Sequence, residues 1–197
     1  MLKRIFDVIL SFFGLIVLSP VFIILMIWIK LDSKGPIFYR QVRVGLNGRD
    51  FYLLKFRSMR TGADKYGLLT IGGKDPRITN SGFFIRKYKL DEFPQLINVI
   101  KGDMSLVGPR PEVRKYVDLY TSDQLRVLSV KPGITDNASI VFRNENDLLK
   151  DAENPEEFYI REIMPTKLKY NIEYVDSHSL FKDLELIFKT FSVIILK

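Results

Sequence analysis

From Val8 to Trp28 the chain reads VILSFFGLIVLSPVFIILMIW, apolar throughout and without a formal charge, before it turns to shorter alternating and helical patterns. The run matches the roughly 20 apolar residues a helix needs to cross a ~30 Å hydrocarbon core, and no small-residue cleavage site follows it, so it predicts a membrane anchor over residues 1–30 rather than a secretory signal. Ser19-Pro20 sits near its middle. Pro20 cannot donate to the preceding turn and its ring crowds the carbonyl there, while the Ser19 hydroxyl can bond back to the freed carbonyl, so a bend is expected. Lys3 and Arg4 precede the run, and Lys30, Lys34, Arg40 and Arg43 follow it, which by the positive-inside rule assigns both ends to the cytoplasm. A re-entrant helix, entering one leaflet and returning at the Ser-Pro break, satisfies that rule, with Asp7 or the flanking bases holding its mouth. A Pro-kinked transmembrane helix is the simpler alternative.

Beyond the anchor, Pro36 to Val44 reads as a strand, Asn47-Gly48 as a hairpin turn and Phe51 to Phe56 as the partner strand. Thr61 to Gly82 has no sustained period and predicts a mobile loop that closes over substrate. SGFFIRKY starts a helix, and a second helix over Leu96, Ile97, Val99 and Ile100 should begin near Asp91, because Pro94 is tolerated only in a first turn. Gly102 to Pro111 reads as a rigid irregular segment. Glu112 to Leu128 has helical spacing; Ile134 to Asn146 mixes a short apolar run with polar residues and reads as core strand plus turn or as part of a nucleotide pocket. Glu156 to Tyr174 predicts a helix interrupted at Pro165, and the tail from Ser179 an amphipathic helix lying in the membrane interface or packed on the core. The fold class expected is α+β and mostly helical, with a small β-hairpin and interfacial amphipathic helices, and residues 31–197 are expected to form one compact domain.

Composition narrows the chemistry. With 197 residues and 47% apolar content the chain can bury one ordinary core. It has no cysteine and a single histidine, His178, which removes thiolate chemistry and the usual nitrogen and sulfur metal sites. A metal would be a hard cation held by oxygen, which points to Mg²⁺ and phosphate chemistry. The net charge of +7 favours an anionic partner: nucleic acid, a phosphorylated substrate or an anionic lipid surface.

The stretch RKYKLDEFPQLINVIKGDMSLVGPRP, Arg86 to Pro111, concentrates the candidate chemistry. Asp91 and Glu92 lie at a helix start, where the dipole and free amides favour an ionised carboxylate fit to be a nucleophile or metal ligand. Capping alone is the plainer reading. Arg110, held between two prolines, suits bidentate phosphate binding. Lys55 and Arg57, at alternate positions of a strand, would project from one face as a phosphate clamp or as a solvated surface.

Taken together, FD at Phe6-Asp7, the SP inside an uncharged helix, IKLDSKGPIFYRQVRVG, KFRSM, LDEFPQLINVIKGDMSLVGPRP and KPGIT resemble the bacterial sugar transferase family, the monotopic phosphoglycosyl transferases. The matches run from Phe6 to about Thr135, without the N-terminal extension of longer members. The resemblance implies a monotopic enzyme on the cytoplasmic face of a bacterial inner membrane. It would move a sugar-1-phosphate from a UDP-sugar to undecaprenyl (polyprenyl) phosphate with Mg²⁺ and release UMP, the first membrane step of exopolysaccharide, capsule, O-antigen or glycoprotein glycan synthesis. It implies Asp91 as nucleophile and metal ligand, forming an aspartyl-phosphosugar, and Glu92 as its orienting or proton-handling neighbour. Lys55, Arg57, Arg86 and Arg110 become phosphate contacts, and Ser19-Pro20 the re-entrant break. The partners implied are the two substrates and the bilayer, with no nucleic acid. Where many members continue PGITGW, this chain reads PGITDNASIVFRNEN, without the Trp and two glycines, which leaves Arg143 as the aligned nucleotide or sugar contact beyond Thr135. A glycosyltransferase that moves only the sugar and releases UDP, and a non-catalytic basic protein on the membrane surface, are the alternatives.

Overall fold

The computed structural model describes residues 1–67, 69–70 and 75–195. The order of elements is α1 (Leu2–Asp32), β1 (Phe38–Val44), β2 (Asp50–Phe56), α2 (Asn80–Lys87), a 3-10 turn at Leu90–Glu92, α3 (Gln95–Lys101), β3 (Ser105–Val107), α4 (Arg114–Val117), a 3-10 stretch at Gln124–Ser129 and β4 (Gly133–Thr135). There follow α5 (Asn137–Val141), α6 (Glu145–Lys150), α7 (Pro155–Phe158), a π-turn at Tyr159–Ile163, α8 (Met164–Ser177) and α9 (Leu180–Ile195). The protein is mostly helical, with two small two-stranded sheets.

The apolar run forms one helix, α1, that continues through Pro20. Ser19 Oγ donates to Ile16 O at 2.7 Å, the carbonyl four residues before the proline, so the hydroxyl replaces the hydrogen bond that the ring removes. Only Asp7, Ser11, Leu25 and Ile29 of this helix are buried, while Phe12, Phe13, Val17, Ile24 and Ile27 are exposed. Much of its apolar surface thus has no protein partner, as a helix in contact with lipid requires.

Polar contacts tie both ends of α1 to the rest of the protein. At its start Arg4 donates to Val99 O (2.5 Å) and Ile100 O (3.0 Å), satisfying carbonyls at the end of α3. Asp7 accepts from Ser105 Oγ (2.8 Å) and Leu106 N (3.2 Å) of β3. Lys3 Nζ meets Asp183 Oδ2 of α9 at 2.6 Å, and Asp183 Oδ1 accepts from Tyr174 OH at 2.6 Å. At its end Asp32 Oδ2 accepts from Ser81 N (2.9 Å) and Ser81 Oγ (2.8 Å) at the start of α2.

β1 and β2 pair antiparallel from Phe38 opposite Phe56 to Val44 opposite Asp50. Asn47 (φ 55) and Gly48 (φ 74) take the left-handed conformations that an Asn-Gly turn supplies at little strain. The far edge of β2 is closed by one side chain: Asn98 Oδ1 accepts from Leu54 N (2.9 Å) and its Nδ2 donates to Tyr52 O (2.8 Å), which fixes α3 against the sheet. β3 and β4 pair in parallel, and a Cβ built on Gly133 would stand 2.1 Å from Gly108 N, so the close crossing requires glycine. Three apolar clusters hold the elements. Leu25, Ile29, Phe56 and Ile85 join α1 to β2 and α2; Leu53, Val99 and Met104 join β2 to α3; Val113, Tyr116, Leu149, Tyr159, Met164 and Leu168 gather the C-terminal helices.

Several elements depart from the sequence reading. The helix expected near Asp91 has its α-helical part from Gln95, with the acids one 3-10 turn earlier, because Lys89 turns the chain at φ 57. Ser105–Val107, read as irregular, is a strand whose partner lies far along the chain. Glu112 to Leu128 is two short pieces rather than one helix: Thr121 and Gln124 bond reciprocally, Gln124 N to Thr121 Oγ1 and Thr121 N to Gln124 Oε1, and restart the chain. Ile140-Val141 belongs to α5 and not to a strand, because Asp136 Oδ1 caps a helix there by accepting from Ser139 N at 2.7 Å. The interruption expected at Pro165 is a π-turn just ahead of it, after which α8 restarts with Pro165 in its first turn, where the missing N–H is tolerated. The loop expected over Thr61 to Gly82 holds a 3-10 turn at Ala63–Tyr66 and the start of α2, and its residues 68 and 71–74 lie outside the described residues.

Candidate active site

Asp91 and Glu92 stand side by side on the 3-10 turn between α2 and α3, under the end of β2. The alternation of β2 turns Leu53 into the core and sends Lys55, two residues on, toward the acids. Lys55 Nζ lies 3.1 Å from Glu92 Oε1 and 3.9 Å from Asp91 Oδ2. Arg110 reaches the same turn from the segment after β3 and grips Glu92 with both ends of its guanidinium, Nη1 to Oε2 at 3.2 Å and Nη2 to Oε1. Its backbone is held in turn, since Arg110 N donates to Asp136 Oδ2 at 3.2 Å.

The two acids are in different electrostatic states. Burial raises the Asp91 carboxyl above the ordinary aspartate value, and the nearby Lys55 offsets that only in part. Burial acts the same way on Glu92, but Arg110 and Lys55 outweigh it and hold Glu92 well below the usual carboxylate range. Burial also pushes the Lys55 ammonium down despite Glu92 and Asp91. Glu92 is therefore the fixed anion of the pair. Asp91 is 5% exposed and borders the cleft, and no hydrogen bond from the described residues reaches its carboxylate.

That cleft has a volume of about 450 Å³ and is bordered by Lys55, Arg57, Arg86, Asp91 and Arg110 together. Arg86, on the last turn of α2, donates from Nη2 to Thr70 Oγ1 at 3.0 Å. Arg57 does not stand free beside Lys55: its Nη2 donates to Ile29 O (3.2 Å), Ser33 O (2.6 Å) and Ser33 Oγ (2.9 Å) at the end of α1. Its Nε and Nη1 are buried and have no hydrogen-bond partner among the described residues, a costly state for a guanidinium.

A model of the bacterial sugar transferase family matches residues 1–197. The chain belongs to that family. It is 40% identical over 186 residues to an uncharacterized sugar transferase, EpsL, of Bacillus subtilis, covering 94% of this chain and 83% of that one. It is 36% identical to the exopolysaccharide production protein ExoY of Rhizobium meliloti, covering 100% and 86% of the two chains. The UDP-glucose:undecaprenyl-phosphate glucose-1-phosphate transferase of Escherichia coli is 36% identical over 195 residues, 96% of this chain and 39% of that longer protein.

In this bacterial sugar transferase the residues matched from the family motifs fall unequally on the site. Asp91, Lys55, Arg57, Arg86 and Arg110 border one cleft and Glu92 adjoins it through its two cations, whereas Arg143 is exposed in the turn between α5 and α6 and does not border the cleft. Sequence reasoning missed the other wall. Arg43 Nη1 donates to Glu112 Oε1 (2.9 Å), Glu112 Oε2 accepts from Tyr159 OH (2.6 Å), and Lys167 Nζ pairs with Glu145 Oε2 (2.8 Å), all along the cleft. Only Arg43, alternating with Gln41 on β1, had a local signal; Glu112, Tyr159 and Lys167 look like ordinary helix residues.

The residues suit Mg²⁺ in one respect. Asp91 offers a carboxylate with no competing hydrogen bond, and among the described residues no three His, Asp or Glu side chains converge. A hard cation commonly held by one or two carboxylates and by substrate phosphates fits that donor set better than a preformed cage does.

Proposed function

We propose that this protein transfers a sugar-1-phosphate from a UDP-sugar to undecaprenyl phosphate and releases UMP, as the first membrane step of a surface glycoconjugate. The observation that carries this reading is Asp91, buried with no hydrogen bond from the described residues on a cleft that also gathers Lys55, Arg57, Arg86 and Arg110, in a protein whose long apolar helix leaves much of its surface exposed. Relatives named for moving glucose-1-phosphate or N-acetylgalactosamine phosphate to undecaprenyl phosphate support the substrate class.

An oxygen of Asp91 attacks the sugar-bearing phosphorus. The bond to the bridging oxygen breaks and UMP leaves with the electron pair, so the enzyme holds an aspartyl-phosphosugar. A phosphate oxygen of the lipid then attacks the same phosphorus, and the Asp91 carboxylate departs unchanged. Lys55, Arg86 and Arg110 place positive charge where phosphate oxygens accumulate it, and the free Nε and Nη1 of Arg57 offer a further anion contact at the end of the membrane helix. Glu92, held ionised, orients Arg110 and Lys55 rather than passing a proton. Mg²⁺, held by Asp91 with diphosphate oxygens, would neutralise charge between an anionic donor and an anionic nucleophile.

Purified full-length protein given a UDP-sugar and undecaprenyl phosphate is expected to release UMP in step with lipid product. UDP as the sole nucleotide product overturns attack at phosphorus in favour of sugar transfer alone, and no turnover across a panel of UDP-sugars favours a non-catalytic membrane-surface protein.

The anchor belongs to the same proposal. Residues 1–30 form a re-entrant helix that turns back at Ser19-Pro20 while staying helical there, and residues 31–197 form the catalytic body on the cytoplasmic face of the inner membrane. In support, polar contacts join both ends of α1 to one body, Arg4 to α3 and Asp32 to α2, and cations flank both ends. A straight span would put one end across the bilayer. A cysteine placed by Leu2→Cys in this cysteine-free chain is expected to react with an impermeant thiol reagent only from the cytoplasmic side. Labelling from outside the cell would establish the straight span instead.

A further inference from the structure

The cleft extends past the acids to a wall built by α6, the π-turn and α8, and this wall has a different chemistry from the phosphate-facing side. Arg57 and Arg86 lie on the side of the Thr61–Thr70 segment, where Arg86 bonds Thr70 and Thr61 bonds Lys34 O beside Gly35. Along the wall of α6, the π-turn and α8, Lys167 is neutralised by Glu145 at 2.8 Å and its Nζ lies 5.5 Å from the centroid of the Tyr159 ring. Asn146 and Asn171 border the cleft there too. Asn171 is 6% exposed, and its buried Oδ1 has no hydrogen-bond partner among the described residues. Buried amide oxygens without a donor are rare in folded proteins, because the lost hydration is not replaced.

We infer that this wall receives the sugar ring of the donor, with the Asn171 amide and the Lys167–Glu145 pair bonding its hydroxyls and so setting which sugar is accepted. The inference rests on the transfer proposed above, and it follows from the order of groups in a UDP-sugar. The phosphorus attacked by Asp91 carries the sugar on one side and the nucleotide on the other, so the two ends must occupy different parts of one cleft. Phosphate needs uncompensated cations, which remain beside Arg57 and Arg86. A sugar hydroxyl both donates and accepts, which matches an amide and a neutralised ion pair of zero net charge. Asn171 is a specificity residue in this account, remote from the bonds that change.

Asn171→Leu keeps the size of the side chain and removes an unsatisfied polar group, so the fold should hold or gain stability. Equilibrium binding to the full-length protein in nanodiscs is measured for UMP and for a panel of UDP-hexoses and UDP-N-acetylhexosamines. The wild type is expected to bind its best UDP-sugar more tightly than UMP. The variant should lose roughly ten- to hundred-fold in affinity for that UDP-sugar, with UMP unchanged. Lys167→Met should reorder the panel. Equal loss for UMP and UDP-sugar would assign the wall to the nucleoside and overturn the inference, as would unchanged affinity for both or a wild type that gains nothing from the sugar. A wild type that binds the UDP-sugar in this way but releases no UMP overturns the transfer reading and leaves the sugar wall standing.

Discussion

Asp91→Asn is expected to abolish UMP release, by a factor of at least about 10³, while the protein melts at the same or a higher temperature. The activity follows from the bond that must form: an amide oxygen of the same shape does not supply the anionic nucleophile. The stability follows from the environment. Burial raises the Asp91 carboxyl above its unfolded value, so its contribution to stability is fully present below the unfolded pKa and is lost as pH rises through the folded one. At neutral pH the ionised side chain therefore opposes folding, and a neutral amide removes that opposition. Thermal melts of both proteins at pH 7, run beside the UMP assay, check both halves. A clear fall in melting temperature with activity retained would make Asp91 a structural cap, which is the reading its place ahead of α3 suggests on its own. A side chain that weakens the fold where it stands and is indispensable to turnover is the pattern expected of a functional site.

Arg110→Met is expected to reduce turnover roughly 10²- to 10³-fold and to destabilise the protein by about 2 kcal/mol at pH 7. The stability loss arises because Glu92 stays buried after its bidentate partner is gone, with Lys55 at 3.1 Å as the remaining cation. The pH dependence has a definite sign. Glu92 is held below its unfolded value, so the stability it contributes is present above that value, near pH 4.3, and is lost as pH falls through the folded one. The gap in stability between wild type and variant should thus be widest at neutral pH and shrink on acidification below about pH 4. Urea unfolding at a series of pH values reads it directly. Arg110→Lys separates charge from geometry: it should recover part of the stability but little of the activity, since an ammonium cannot grip both Glu92 oxygens and still present donors in the fork that a phosphate accepts. A gap that widens with acid would mean that Arg110 contributes through something other than Glu92.

The parts of the molecule that were legible in advance were those where local chemistry leaves few choices. An uncharged apolar run becomes a helix, and Ser19 repairs the carbonyl that Pro20 frees. Asn-Gly turns a hairpin, with both residues at positive φ. The Asp-Glu pair and the proline-held Arg110 converge, as the motif resemblance implied, because they lie within one short stretch of chain. Elements failed where a distant partner, or a local box that the spacing does not reveal, decided them. Ser105–Val107 has little strand pattern of its own and becomes a strand through β4, with Gly108 and Gly133 allowing the approach. Helical spacing over Glu112 to Leu128 was real, yet the Thr121–Gln124 box breaks it. Arg143, singled out by alignment along the chain, is exposed between α5 and α6 and does not border the cleft, while Glu145 and Asn146 beside it do.

By itself the sequence determined the long apolar helix, the hairpin and the family motifs, since each depends on side chains within one or two turns of one another. It also removed thiolate chemistry, because the chain has no cysteine. Only the tertiary structure decided how charge is shared at the site. Asp91 and Glu92 are neighbours in sequence, and they differ in ionisation because Lys55 and Arg110, brought from β2 and from the segment after β3, lie closer to one than to the other. It also decided that Arg57 is tied to the end of α1 and that α6 and α8 complete the cleft. Burial and distance set the energy of a charge, and neither exists until segments far apart in the chain have packed.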